Sequence, residues 1–256
     1  MQLYLEAQET DAGNEEWIDA MASDTKIILN DKPYKILFKT KGNDICIQND
    51  EDMLTWYEYD PTQLAAKVID PPEKVDGRFY IPGVKSLVGC PRVINGDFEC
   101  TNCPELKTLE GGPEEVTGYY NCCQNNGLES LKGVAKIIGG DFNCHKCDSL
   151  KSFDGLQETE IGNFFICSYL KDMTIDGLKG LPPPENINVG KRKHKKPLKC
   201  DIELIRFLEA SKEELGKLKK QNEIDNDLDQ ILININGWLD RAEANSSGRA
   251  SVSLDI

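Results

Sequence analysis

Apolar positions recur about every 22 residues between Phe79 and Gly180. Three strings align: Gly96-Asp-Phe-Glu-Cys100-Thr-Asn-Cys103, Gly118-Tyr-Tyr-Asn-Cys122-Cys-Gln-Asn125 and Gly140-Asp-Phe-Asn-Cys144-His-Lys-Cys147. A degenerate fourth copy, Gly162-Asn-Phe-Phe-Ile-Cys167-Ser-Tyr-Leu170, carries one extra residue near Phe164. A Leu-x-Gly element precedes each copy: Leu87-Val-Gly89, Leu109-Glu-Gly111, Leu131-Lys-Gly133 and Phe153-Asp-Gly155, with Ile175-Asp-Gly177 opening a fifth. A fixed period of this length predicts a solenoid. Ile94, Phe98 and Cys100, and their equivalents one period on, alternate as one face of a short strand. Leu106, Leu128 and Leu150, with Leu109, Leu131 and Phe153, supply the opposite wall. One coil cannot bury such a face alone, but stacked coils share a continuous core. Each buried Leu or Phe contributes roughly 1.5–3 kcal/mol.

The flanks follow other periods. Gln2–Ala7, Lys26–Leu29, Tyr34–Lys39 and Ile45–Gln48 alternate as strands, joined by Asn30-Asp31 and Lys41–Asp44 turns. Glu15–Ala22 places Trp17, Ile18 and Met21 on one helical face. Asp50–Tyr59 reads as a helix start with Trp56 and Tyr57 packing inward, its Asp50-Glu51-Asp52 cluster serving the helix dipole. Residues 1–70 are therefore expected to be an acidic α+β unit, either capping the first coil or acting as an effector itself. Pro182-Pro183-Pro184 ends the array within a solenoid segment 71–190. Residues 191–200 form a basic linker. Residues 201–244 read as helices: Asp201 caps Ile202, Ile205 and Leu208, Ser211-Lys-Glu-Glu214 is a capping-box pattern, and Ile224, Leu228, Ile231, Leu232, Ile235 and Leu239 form a stripe. That stripe is docked core or a C-terminal cap, with self-association through 224–239 as the alternative. Residues 245–256 are small and polar enough to be a disordered tail. The fold class expected is α+β, a solenoid of about four to five coils between two small flanks.

The repeat resembles the leucine-rich repeat, L-x-x-L-x-L-x-x-N/C-x-L. Phe98-x-Cys100-x-x-Cys103 and Phe142-x-Cys144-x-x-Cys147 match its Cys form, and Tyr120-x-Cys122-x-x-Asn125 its Asn form. In that column the side chain satisfies backbone groups where the strand turns. The resemblance covers residues 79–181, and the short copies are similar to compact repeats of tailed-phage and bacterial proteins. Pro91 and Pro113 keep the proline of that pattern, while Ala135 and Gln157 depart from it.

Ten cysteines include Cys100-x-x-Cys103 and Cys144-His-Lys-Cys147, a spacing that ordinarily suggests zinc. The pairs sit two coils apart, near 10 Å at a strand spacing of roughly 4.8 Å, too far for one ion with Zn–S bonds of about 2.3 Å. They read as buried structural thiols, with no metal or cofactor expected. His145 sits at an outward position, and with only one other histidine, His194, no Ser-His-Asp set can be assembled.

The net charge is −14, spread unevenly: residues 1–70 carry 15 acidic and 6 basic side chains, 71–190 carry 17 and 11, and 191–256 carry 12 and 13. The acidic front argues against general nucleic-acid affinity; it serves solubility, or it could attract a protein partner with a basic surface. No apolar run approaches the roughly 20 residues that span a membrane, and the start lacks the pattern of a secretory signal. Free core cysteines suit a reducing cytoplasm, the host's if the gene is viral.

Leucine-rich repeats are binding scaffolds, so the resemblance implies a non-catalytic protein–protein interaction protein. Its phage-like copies suggest an inhibitor or modulator of a host or defence protein. The expected ribbon is Asp97, Tyr119 and Asp141 in one column, Glu99, Asn121, Asn143 and Ile166 in the next, and Thr101, Cys123, His145 and Ser168 in a third, with Tyr119 as anchor. Two alternatives stand beside it. Leucine-rich-repeat effectors with ubiquitin-ligase activity use a Cys-x-Asp motif, whereas here Cys200 is followed directly by Asp201 with about 57 residues left in the chain. The run Lys191–Lys199 could instead associate with nucleic acid.

Overall fold

In the computed structural model, residues 5–6, 26–29, 32–42, 44–60, 65–167, 171–183, 186, 202–220 and 229–240 are described. The repeat folds as a β-solenoid of about four turns, and each turn carries two short strands rather than the single one its alternation predicts. Strands β7 (Lys74–Asp76), β9 (Val93–Asn95), β11 (Glu115–Val116), β13 (Ile137–Ile138) and β15 (Glu160–Ile161) stack as one parallel ladder. A second ladder contains β8 (Phe79–Tyr80), β10 (Phe98–Glu99), β12 (Tyr120–Asn121), β14 (Phe142–Asn143) and β16 (Phe165–Ile166). The chain bends at Gly96-Asp97 and its equivalents, so Ile94 and Phe98 enter one core from two walls.

Phe79, Phe98, Tyr120, Phe142 and Phe165 stand in register. The first coil is thus 19 residues long and lacks the cysteine, which hid its strands from a search for a regular period. The last step is 23 residues. The Ser130–Ser152 bridge still advances by 22, while Ile161 pairs with Ile138. The additional residue therefore lies in the bend before Ile161 and not near Phe164.

The core is apolar and layered. Ile94, Val116, Ile138 and Ile161 line one wall, and Leu106, Leu109, Leu128, Leu131, Leu150 and Phe153 the other, all at most 1% exposed. Between them the aromatic rings stack at 4.7–6.0 Å from Phe79 to Phe165, a range that suits ring pairs. Gly133 of one Leu-x-Gly bend adopts φ 90°, and a Cβ there would lie 2.4 Å from the Glu110 backbone of the previous coil. Only glycine meets both demands.

Asn125 bears out the reading of its column. Its Oδ1 accepts from the Cys103 N–H (2.7 Å) and its Nδ2 donates to the Cys100 carbonyl (2.7 Å). In the cysteine copies the thiols do part of this work: Cys147 Sγ lies 3.2 Å from the Cys122 carbonyl and Cys103 Sγ 3.4 Å from that of Thr101. Outside the coils, ion pairs run from turn to turn. Arg92 bridges Glu73 and Glu114 (3.0 and 3.2 Å), Glu129 bridges Lys107 and Lys151 (3.5 and 2.8 Å), and Lys132 meets Glu110 (2.9 Å).

Both ends of the core are closed. At the N-terminal end β1 (Leu5–Glu6), β2 (Lys26–Leu29), β3 (Lys32–Lys39), β4 (Asp44–Gln48), β5 (Leu54–Asp60) and β6 (Ala65–Ile69) form an antiparallel sheet in that order. The helix expected over Asp50–Tyr59 is instead a turn followed by β5. Asn49 Oδ1 caps the turn through the Glu51 and Met53 N–H groups, and Asp50 pairs with Lys32 (2.6 Å). Strand alternation then buries Trp56 against the solenoid and turns Tyr57 to the opposite face. Trp56 stacks on Phe79 (5.9 Å) and its indole N–H donates to the Gly89 carbonyl (2.9 Å), while the Leu54 N–H donates to Val88 (2.8 Å). The helix expected at Glu15–Ala22 lies outside the described residues.

At the other end, helix α1 (Ile202–Lys220) and a second helix, α2, covering residues 229–240, close the last coil. Ser211 does not open a new helix. It sits inside α1, buried, and its hydroxyl donates to the Phe207 carbonyl one turn back (2.8 Å), so the capping-box pattern is unused. Leu208, Leu215, Ile231, Ile235, Trp238 and Leu239 join the solenoid core. Trp238 packs edge-on to Phe165 (5.9 Å) and donates to the Pro182 carbonyl (2.8 Å). No helix among the described residues is long and apolar enough to cross a membrane.

Candidate functional site

The second ladder presents a strand face whose columns can be read from register. The bend column runs Arg78, Asp97, Tyr119, Asp141, Phe164, and the next runs Tyr80, Glu99, Asn121, Asn143, Ile166. Every residue expected on the ribbon in these two columns falls in them, including Ile166, which pairs in register with Asn143. Arg78, Tyr80 and Phe164 were not expected. The first two belong to the short first coil, and the displaced extra residue puts Phe164 next to Asp141 in the bend column.

These side chains do different things. Glu99 lies opposite the inward Phe98 and Cys100, so strand geometry sends it outward, yet it is only 6% exposed. The Arg78 Nε–H and the Tyr119 hydroxyl both donate to its Oε1 and cover it. Arg78 also lies 4.9 Å over the Tyr80 ring, a cation–π geometry. One carboxylate thus ties together residues from three successive coils. Burial, and then the hydrogen bond to Glu99, push the Tyr119 phenol up to about 12.

Asp97 and Asp141 are half-buried, and each accepts a backbone N–H from the next coil, Tyr119 (3.0 Å) and Phe164 (3.2 Å) respectively. Neither has a cationic partner among the described residues. Asn121 and Asn143 turn their Oδ1 atoms onto the N–H groups of Cys123 and His145 (3.1 and 3.0 Å), ending the strand. His145 is half-buried beside this turn.

The thiol columns point away from the face. Cys100, Cys122, Cys144 and Cys167 are buried, and burial pushes the thiols of the first three well up. Such thiols pack as small apolar groups and do not ionise at neutral pH. Among the described residues no group of three or more His, Cys, Asp or Glu is placed to hold a metal ion. Ser168, Lys191–Lys199, Cys200 and Asp201 lie outside the described residues.

Compared with protein-family models, curated proteins and solved structures, the chain matches none.

Proposed function

We propose that this protein is a non-catalytic binding protein whose strand face docks another protein. The observation that carries this is the Arg78–Glu99–Tyr119 network. A buried, charged hydrogen-bonded group is weak evidence for stability, because desolvation offsets much of its attraction. It does hold Tyr119, Arg78 and the underlying Tyr80 in place, and Tyr and Arg are the side chains that dominate interface hot spots when immobilised. The half-buried carboxylates Asp97 and Asp141 flank Tyr119, and with the acidic front of the chain they favour a partner with a basic surface.

The finer reading is that docking inhibits or modulates the partner. It rests on the resemblance to compact leucine-rich repeats of tailed phages and bacteria, which would make a host or defence protein the target in a reducing cytoplasm. A fold-level likeness of this kind is an analogy and leaves the decision to experiment. The test is affinity capture from a bacterial lysate with the full chain and with Tyr119→Ala/Asn143→Ala. The expected result is a stoichiometric partner retained by the first and lost by the second. Retention of the same partner by both proteins moves the binding site off the strand face.

A further inference from the structure

On the corner beyond the strand face, Asn102, Gln124, Asn126, Lys146, Asp148 and Lys171 line an open groove of about 390 Å³. Three features set this groove apart from the rest of the solenoid surface. The carboxamides of Asn102, Gln124 and Asn126 and the ammonium of Lys146 have no hydrogen-bond or ionic partner within the described residues. Elsewhere the chain uses such groups on itself: Asn95 bonds Asp76, Asn121 and Asn143 bond their own turns, Asn125 bonds two backbone groups, and Gln157 bonds Asp154.

The second feature is backbone conformation. Asn102, Gln124 and Lys146 occupy one column and have φ of 55°, 61° and 57°. The first coil places Gly83 there at φ 73°, with open space where a Cβ would be. Glycine is therefore sufficient to make this corner. Holding Gln and Lys in the left-handed region costs of order 1 kcal/mol or more each, and packing does not offset it, because these side chains are exposed.

The third feature is chemistry and spacing. All six described lining side chains are polar. A carboxamide offers a donor and an acceptor in one plane, which vicinal hydroxyls match. Lys146 has no ionic partner among the described residues, and Lys171 reaches Asp148 at 3.6 Å, so one end of the groove is cationic. The donors repeat once per coil, roughly 4.8 Å, about the length of one sugar ring. An extended peptide repeats its side-chain direction only every ~6.7 Å and falls out of step within two coils.

From these observations we infer that the groove is a binding site for a short acidic oligosaccharide. Its hydroxyls bond Asn102, Gln124 and Asn126, and a carboxylate or phosphate on one ring meets Lys146. This site stands independently of the strand-face reading.

The test is a titration of the isotope-labelled full chain with digalacturonate, glucose 6-phosphate, cellobiose and a triglutamate peptide. Digalacturonate should shift the amides of Asn102, Gln124, Asn126, Lys146 and Asp148 with a millimolar dissociation constant, and cellobiose should bind about tenfold more weakly. Comparable shifts with glucose 6-phosphate would assign the anion as phosphate as well as carboxylate and still support the site. Gln124→Gly should weaken binding by about tenfold while leaving or raising the thermal midpoint, since Gly83 shows that glycine suits the corner. Lys146→Gln should remove the preference for the acidic over the neutral sugar. The inference is overturned if no sugar shifts these amides, if the shifts fall elsewhere, if triglutamate binds as tightly as digalacturonate, or if Gln124→Gly binds normally.

Discussion

The interior of the coils and their strand face share one backbone and obey opposite sequence rules. Inside, a column repeats its residue type from coil to coil: aromatic at Phe79, Phe98, Tyr120, Phe142 and Phe165, and thiol at Cys100, Cys122, Cys144 and Cys167. On the face the columns change character at all but one step, Arg78-Asp97-Tyr119-Asp141-Phe164 in one and Tyr80-Glu99-Asn121-Asn143-Ile166 in the other. Repetition is what stacking demands, because each layer must fit the one below it. Face positions meet no such demand, so their variation is where a specific ligand can be encoded.

The largest expected effect tests that division directly. Phe142 is fully buried between two rings, so Phe142→Ala should destabilise the protein by about 3–5 kcal/mol. Tyr119→Phe, on the face, removes one hydrogen bond to the charged Glu99 and should cost less, about 1.5–2 kcal/mol. Denaturant unfolding of the two variants compares them. Equal losses would mean that the face is part of the structural core.

Next in size is Asn125→Ala, which leaves the Cys103 N–H and the Cys100 carbonyl buried without a partner and should cost about 2–3 kcal/mol. Asn125→Cys should recover part of this, since Cys103 and Cys147 serve in the same column. If the alanine and cysteine variants unfold together, the column does not work by hydrogen bonding.

A smaller effect concerns the tether on the face. Tyr119 titrates at about 12 in the folded state, above the ordinary tyrosine value of about 10. Its neutral form therefore stabilises the fold below about pH 10, and that contribution disappears as pH rises through 12. Ultraviolet titration should show Tyr119 among the late-ionising tyrosines, and Glu99→Gln should bring it down. An unchanged titration in Glu99→Gln would break the proposed tether.

The smallest effect is Tyr120→Phe. Its hydroxyl is buried without a hydrogen-bond partner, whereas the neighbouring coils use Phe. Removing it should be neutral or stabilising by up to about 1 kcal/mol, and a destabilised Phe variant would mean that the hydroxyl has a hidden partner.

What was legible in the sequence follows the same division. The interior columns were readable because repetition is visible without coordinates: Phe98, Cys100, Asn125 and the leucine wall all fall where the period places them. The period did not reveal the bend at Gly96-Asp97, because Ile94 and Phe98 enter the core with the same spacing whether one strand or two carries them. It also missed the first coil, three residues short, and with it Arg78 and Tyr80, half of the network around Glu99. At the N-terminal cap, Trp56-Tyr57 suits either a helix or a strand locally. Pairing of β5 with β4 decided between them, and local propensity cannot report such a contact.

Among the described residues each coil pairs with its neighbours and the two lids close the end coils, so the number of turns is a free variable of the architecture. An in-frame duplication of Gly118–Gly139 would add one turn with its ladder bonds reproduced, lengthening the molecule by roughly 4.8 Å and leaving both lids untouched. The duplicated tyrosine, however, would face Asn121 rather than Glu99 and would hang free. Growth by one such turn thus keeps the scaffold by default but does not reproduce the tether, so one gene can change its reach without multiplying its grip.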